Sequence, residues 1–179
     1  MSIRQENVFR ARKMDRKIII AVTILAVVII LVAYFFLGST NSLTKIAVNP
    51  NSLQKTVGED FTVTIDVSNV RNLYGWQTRL SFNAEILGVL TVVEDSFLKS
   101  GGSTYFNYIV NDTTGHVLVD CALLGDISGV NGTGVLVSIQ FHVKSAGNCD
   151  LGLYDTSLID HSEQTIAHTA VGGGFTSGS

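Results

Sequence analysis

Twenty consecutive residues, from Ile18 to Leu37, read IIIAVTILAVVIILVAYFFL and contain no charge, proline or glycine. At 1.5 Å per residue, a helix of that length covers about 30 Å, the thickness of a bilayer's hydrocarbon. The run divides the chain and predicts one membrane-spanning helix. Residues 1–17 carry six basic and two acidic residues, a balance of +4; beyond the run the balance is six to thirteen, or −7. Lys and Arg stay on the cytoplasmic side. The expected arrangement is a single-pass cell-membrane protein with a basic cytoplasmic tail, residues 1–17, and its remaining bulk outside. Tyr34, Phe35 and Phe36 suit the outer interface. A cleaved secretory signal has a shorter apolar core followed by small residues, whereas Phe35-Phe36-Leu37-Gly38-Ser39 stands here. A pilin-like leader would end just before the apolar run, and here Asp15-Arg16-Lys17 abut it.

Residues 38–42 read as a linker, and from Leu43 to about residue 176 the pattern is different. Phe61, Val63, Ile65 and Val67 alternate with Thr62, Thr64, Asp66 and Ser68, the period of a strand buried on one face. Val135, Val137, Ile139, Phe141 and Val143 alternate in the same way. Further strands are predicted over residues 44–48, 74–82, 86–93, 105–110, 116–124, 151–154, 157–160 and 171–175. Glycine- and asparagine-rich turns separate them. No segment after the apolar run keeps a helical period. About nine strands in this space imply an all-β sandwich. Charged residues are 15% of the chain, hydrophobic residues 46%, and the net charge is −3. That balance excludes a disordered chain and a strongly basic nucleic-acid binder.

No catalytic kit is visible, so the chain is not expected to be an enzyme. His116, His142, His161 and His168 lack the spacing of metal ligands. Asp155, Asp160 and Glu163 lack the alternating acidic pattern, glycine and bidentate Glu of a calcium loop. No Ser sits in a G-x-S-x-G elbow. No metal and no cofactor is expected in the chain itself. Cys121 alternates inward with Val117, Val119 and Leu123, and Cys149 sits in a turn. Two readings stay open: a disulfide between Cys121 and Cys149, as in an extracellular domain, or a small core residue at Cys121. Asn111-Asp112-Thr113 and Asn131-Gly132-Thr133 are N-x-T sequons in predicted turns, so Asn111 and Asn131 are expected glycosylation sites.

Several phrases go further than a fold class. They are Val57-Gly58-Glu59-Asp60-Phe61-Thr62-Val63, Asn69-Val70-Arg71-Asn72-Leu73-Tyr74-Gly75-Trp76-Gln77, Phe97-Leu98-Lys99-Ser100-Gly101-Gly102, Leu123-Leu124-Gly125, Gly129-Val130-Asn131-Gly132-Thr133-Gly134 and the run from Phe141 to Asn148. In this order and spacing they resemble the cohesin family, particularly cohesin-like ectodomains of archaeal surface proteins. The resemblance implies a nine-stranded jelly-roll sandwich, related to carbohydrate-binding modules. It also implies a receptor for dockerins, small calcium-loaded modules carried by secreted enzymes, so calcium would enter only through the partner. Docking in the family uses a sheet of the third, fifth, sixth and eighth strands, here 74–82, 105–110, 116–124 and the strand near Leu151. Trp76, Leu80 and Phe82 are expected inward, leaving Gln77, Arg79 and Ser81 outward. Val117, Val119 and Cys121 inward leave Leu118, Asp120 and Ala122 outward. These six form the candidate partner-binding face. The chain departs from the family where Gly75 stands in place of a polar residue. Two other functions remain: binding of a polysaccharide by the sandwich, for which Tyr105 or Tyr108 supplies one exposed aromatic, and a structural role in a surface layer or pilus-like filament.

Overall fold

The computed structural model describes residues 25–27 and 43–178. The chain divides into two units, Met1–Asn41 and Ser42–Ser179. The expected tail, linker and most of the expected membrane span lie outside the described residues. Among the described residues no helix is long and apolar enough to cross a membrane.

The second unit holds ten strands: β1 (Thr44–Asn49), β2 (Ser52–Thr56), β3 (Asp60–Ser81), β4 (Leu87–Glu94), β5 (Thr104–Asn111), β6 (His116–Leu123), β7 (Val130–Val143), β8 (Gly147–Asp160), β9 (His168–Val171) and β10 (Gly173–Gly178). One helical turn, Ser96–Lys99, follows β4. The first half of β3 pairs with β1 and β7, which extend to β9 and β4. Its second half pairs with β6 and β8, and β6 continues to β5. Two layers result, β9-β1-β3-β7-β4 and β5-β6-β3-β8, with β10 and β2 added along the first residues of β8.

The count of ten rather than nine has physical causes. Residues 60–81 form one strand because Asn69 and Asn72 take φ of 56° and 57° and bend it without ending it. Asparagine tolerates the left-handed region better than most residues. Register shifts flank Val70 and Leu73, so the buried positions step from Val67 through Val70 and Leu73 to Trp76. The inward side thereby changes from odd to even positions as β3 passes from one layer to the other. Residues 151–154 and 157–160 likewise belong to a single β8, bent at Asp155 with φ 47°. Residues 171–175 divide instead between β9 and β10. The unexpected strand is β2, SLQKT, paired parallel to β10.

Among the described residues the core runs from Ile46 to Phe175, so the compact unit Ser42–Ser179 carries its own interior. Phe61 stacks on Phe175 at 4.8 Å and on Phe141 at 5.6 Å, and Phe82 meets Phe141 edge-on at 5.3 Å. Rings in such contact add to the hydrophobic stabilisation of the buried area. The β5–β6 turn closes at Gly115, φ 71°, where a Cβ would lie 2.0 Å from the Phe82 carbonyl oxygen. Only glycine fits there.

Cys121 and Cys149 do not form a disulfide; both thiols are free and buried. Trp76 lies between Cys121 on β6 and Leu158 on β8, so Cys149 is nine residues along β8 from the level of Cys121. That separation exceeds what one bridge spans. Cys121 donates to Glu94 Oε1 at 3.4 Å, and Cys149 Sγ accepts the Asn83 N–H at 2.9 Å. Burial first, then the Glu94 carboxylate, pushes the Cys121 thiol up to about 12.

Candidate functional site

The outer surface of β5-β6-β3-β8 is built by register. Tyr105, Ala122, Gly75 and Ile159 form one row across the four strands; Asn107, Asp120, Gln77 and Ser157 form the next. Ile109, Leu118 and Arg79 follow, with Tyr154 on β8, and then Asn111, His116, Ser81 and Gly152. All six residues of the expected face, Gln77, Arg79, Ser81, Leu118, Asp120 and Ala122, stand on this one surface. Gln77 is exposed and the other five are half-buried. Their common side follows from period two, because Trp76, Thr78 and Leu80 on β3 and Val117, Val119 and Cys121 on β6 are buried.

The exposed apolar side chains of this surface gather on β5 and β6, interrupted by Asn107 and Asp120. On β5 and β6 Tyr105 and Ile109 are each 59% exposed, next to Leu118 and Ala122. Leu124, just beyond β6, is exposed in line with them. On β3 and β8 the groups are Gln77, Ser157, Arg79 and Asp155. Arg79 Nε lies 3.4 Å from Asp155 Oδ2, an ion pair between two partly exposed side chains in which Nε itself is buried and makes no formed hydrogen bond. Asn107 donates to Asp120 Oδ2 at 3.0 Å. Tyr154 OH and His116 Nδ1 are 2.9 Å apart. At Gly75 the missing side chain opens a shallow depression of about 370 Å³ between Tyr105, Ala122, Gln77 and Ile159. A Cβ there would meet Ile159 at 3.2 Å.

Sequence reasoning missed Asn107, Ile109, Ser157 and Ile159. Alternation signals which side of a strand is outward, but the neighbour of a strand is set by topology. Tyr105 and Tyr108 do fall on opposite sides of β5. Tyr105 joins the outer surface, and Tyr108 stands over the inner side beside Phe106 at 6.0 Å.

Both sequon asparagines are exposed. Asn111 ends β5, and its Oδ1 accepts the N–H groups of Thr113 and Thr114. Asn131 lies in β7 rather than in a turn; its Oδ1 accepts the Asn72 N–H at 2.9 Å. Thr133 accepts the Asn69 N–H at 3.1 Å, so this sequon satisfies the backbone of both bends in β3. Among the described residues no group of three or more His, Cys, Asp or Glu side chains is placed to hold a metal ion.

The cohesin domain model matches residues 46–176. The chain belongs to the cohesin family. Solved structures share the fold of this cohesin domain. A non-cellulosomal cohesin from the hyperthermophilic archaeon Archaeoglobus fulgidus is 22% identical, with a TM-score of 0.66 over 77% of this chain and 93% of that one. The Clostridium thermocellum Coh-OlpA-Doc918 complex, a type I cohesin–dockerin complex, matches at 14% identity and a TM-score of 0.64 over 76% of this chain and 99% of that one. The CaDoc0917(R16D)-CaCohA2 complex matches at 18% identity and 0.63 over 75% and 99%; CaCohA2 is from Clostridium acetobutylicum. No curated protein sequence matches the chain.

Proposed function

We propose that this cohesin domain is a noncatalytic receptor that holds a dockerin-like protein module against the outer surface of β5-β6-β3-β8. The chain would present the domain outside the cell from a membrane span at residues 18–37, with residues 1–17 cytoplasmic. The observation that carries the reading is the row of apolar side chains along β5 and β6, Tyr105 and Ile109 exposed and Leu118 and Ala122 half-buried, with Asn107 and Asp120 between them and Gln77 and Arg79 beside them. Exposed aromatic and aliphatic side chains with hydrogen-bonding groups among them are what a protein partner covers. Several solved relatives are cohesins in complex with dockerins, which supports the same class of partner. Held in this way, a dockerin-bearing secreted protein would stay at the cell surface, where polysaccharide degradation is one use.

Sugar recognition finds less support. Flat sugar rings stack on neighbouring aromatics, and on this surface Tyr105 and Tyr154 stand on different outer strands with β6 and β3 between them. Asn111 and Asn131 are the positions we assign to N-linked glycans on the exported domain.

The test is titration calorimetry of residues 43–179 with dockerins encoded in the source genome, in calcium and in chelator. Binding in calcium that is lost in chelator, and lost again on Leu118→Asp, is the expected result. Failure of every dockerin in both conditions overturns the reading.

A further inference from the structure

Among the described residues four strands have a neighbour on one side only, β2, β4, β5 and β9; the stretch of β8 from Gly152 to Asp160 also pairs with β3 alone, but it is bent and charged at Asp155 and covered at Ile159 by Thr165. Such edges carry unpaired backbone donors and acceptors, and proteins guard them with charge, brevity or bulges. Three of the four are guarded. β9 has four residues, β2 has five including Lys55, and β4 is broken by a bulge between Val89 and Thr91 and ends on Glu94. β5 is different. It reads TYFNYIVN, eight residues with no charge, proline or glycine, and all eight pair with β6 in unbroken register. Tyr105, Tyr108 and Ile109 are exposed along it.

We infer that β5 is a self-pairing edge, which joins two copies of this chain by antiparallel strand addition about a two-fold axis at Asn107. A two-fold axis perpendicular to the sheet keeps outer side with outer side. Centred on Asn107, it sets Tyr105 of one copy opposite Ile109 of the second on the outer surface. Phe106 then meets Tyr108 on the inner side, and Asn107 meets its own counterpart. Aromatic residues opposite β-branched or aromatic ones are the cross-strand pairs that stabilise sheets. The sequence of β5 selects a copy of the same chain as the occupant, because about Asn107 it sets apolar and aromatic side chains against each other and no charge against a like charge. The chain beyond the apolar run carries −7, so two copies repel over most orientations. The uncharged β5 edge is where two copies meet without opposing charges in register. Pairing consumes the only unguarded edge among the described residues, so assembly closes at two. The product is one eight-stranded sheet in which both outer surfaces are continuous. This inference does not rest on dockerin recognition.

The experiment is sedimentation equilibrium of residues 43–179, with Tyr108→Lys as the guarded edge. Tyr108 lies off the outer surface, so the substitution leaves the proposed docking face intact. Expected is a reversible monomer–dimer equilibrium, weakened at least about tenfold by the lysine, roughly 1.4 kcal/mol. A second measurement does not depend on that variant folding. Asn107→Cys should give a disulfide-linked dimer under mild oxidant, since facing Cβ atoms of a cross-strand pair lie about 4.5–5.5 Å apart, close to bridging range. Thr91→Cys, exposed on β4, should not; the native thiols are buried and do not compete. A wild-type domain that stays monomeric to about millimolar concentration, a dimer indifferent to Tyr108→Lys, or equal crosslinking at positions 91 and 107 overturns the proposal. So does a monomer whose β5 edge instead captures an extended peptide of another protein.

Discussion

Strand β3 belongs to two outer surfaces that differ in what their polar groups do. Along its first half Thr64 donates to Asp66, Asn49 donates to the same carboxylate at 3.0 Å, and Asp60 lies 2.7 Å from His142. Thr91 reaches Gln140 across β4 and β7. That surface is polar at its centre and largely satisfied by its own neighbours. Along the second half Gln77 stands exposed beside Asp120, and the adjoining strands expose Tyr105 and Ile109. The same strand thus supplies a self-satisfied surface and an apolar one. The difference comes from the neighbours, because β5 and β6 bring aliphatic and aromatic residues outward where β7 brings Ser138, Gln140 and His142.

The largest effect should erase the distinction altogether. Phe141 is fully buried and touches both Phe61 and Phe82, so both layers lean on it. Phe141→Ala is expected to cost about 3–5 kcal/mol, read as a lowered urea midpoint with both surfaces lost in one transition. A loss below about 1 kcal/mol, or two separate transitions, would show that the layers do not share a core.

The next prediction sets the two surfaces against each other. Leu118→Asp places a carboxylate in the apolar row, and Thr62→Asp places one on the exposed side of the first half of β3. For a partner captured as proposed, Leu118→Asp should weaken binding at least about thirtyfold, some 2 kcal/mol, the scale of an interface hot spot. Thr62→Asp should leave affinity within about twofold. Equal losses would mean that the surfaces are not distinguished by the partner, and the reverse order would move the site to the other layer.

These expectations rest on features that differ in how far the sequence discloses them. Alternation at Phe61 to Val67, at His116 to Leu123 and at Val135 to Val143 reads directly as strands, since a one-sided core imposes period two. The bends at Asn69 and Asn72 were hidden because their stabilising partners, Thr133 and Asn131, lie about sixty residues away. β2 shows only Leu53 as an apolar anchor, and its pairing with β10 is parallel and non-local. Gly75 reads in the sequence as a missing polar contact, whereas in the fold it opens a depression between Ala122 and Ile159. Ile109 and Asn107 joined the site only once β5 was known to be the neighbour of β6.

A smaller effect comes from beneath the apolar surface. Cys121 ionises near 9 when unfolded and at about 12 in the fold, because burial and Glu94 disfavour the thiolate. The folded state binds this proton more tightly, so its contribution is complete below pH 9 and is lost as pH rises toward 12. Wild-type stability should therefore fall more than that of Cys121→Ala between pH 8 and about pH 10.5, by up to ~2 kcal/mol. Parallel urea curves for the two proteins across that range would refute the assignment.

The smallest effect concerns the end of β3 far from the apolar row. Glu59 accepts the Thr56 N–H at 2.7 Å and the Thr56 hydroxyl at 2.8 Å, and Lys55 lies 3.6 Å away. Those donors, the backbone N–H foremost, hold its carboxyl below the ordinary 4.5. A lowered carboxylate stabilises the fold above pH 4.5, and the contribution disappears as pH falls through its folded value. An NMR titration of the Glu59 side chain should therefore show a midpoint below 4.5, and Glu59→Gln should flatten the acid limb of the stability curve slightly. Because the clip secures the β2–β3 turn and no part of β5 or β6, Glu59→Gln should leave partner affinity unchanged at neutral pH. A measurable loss of affinity would tie the two ends of β3 together and undo the separation between its surfaces.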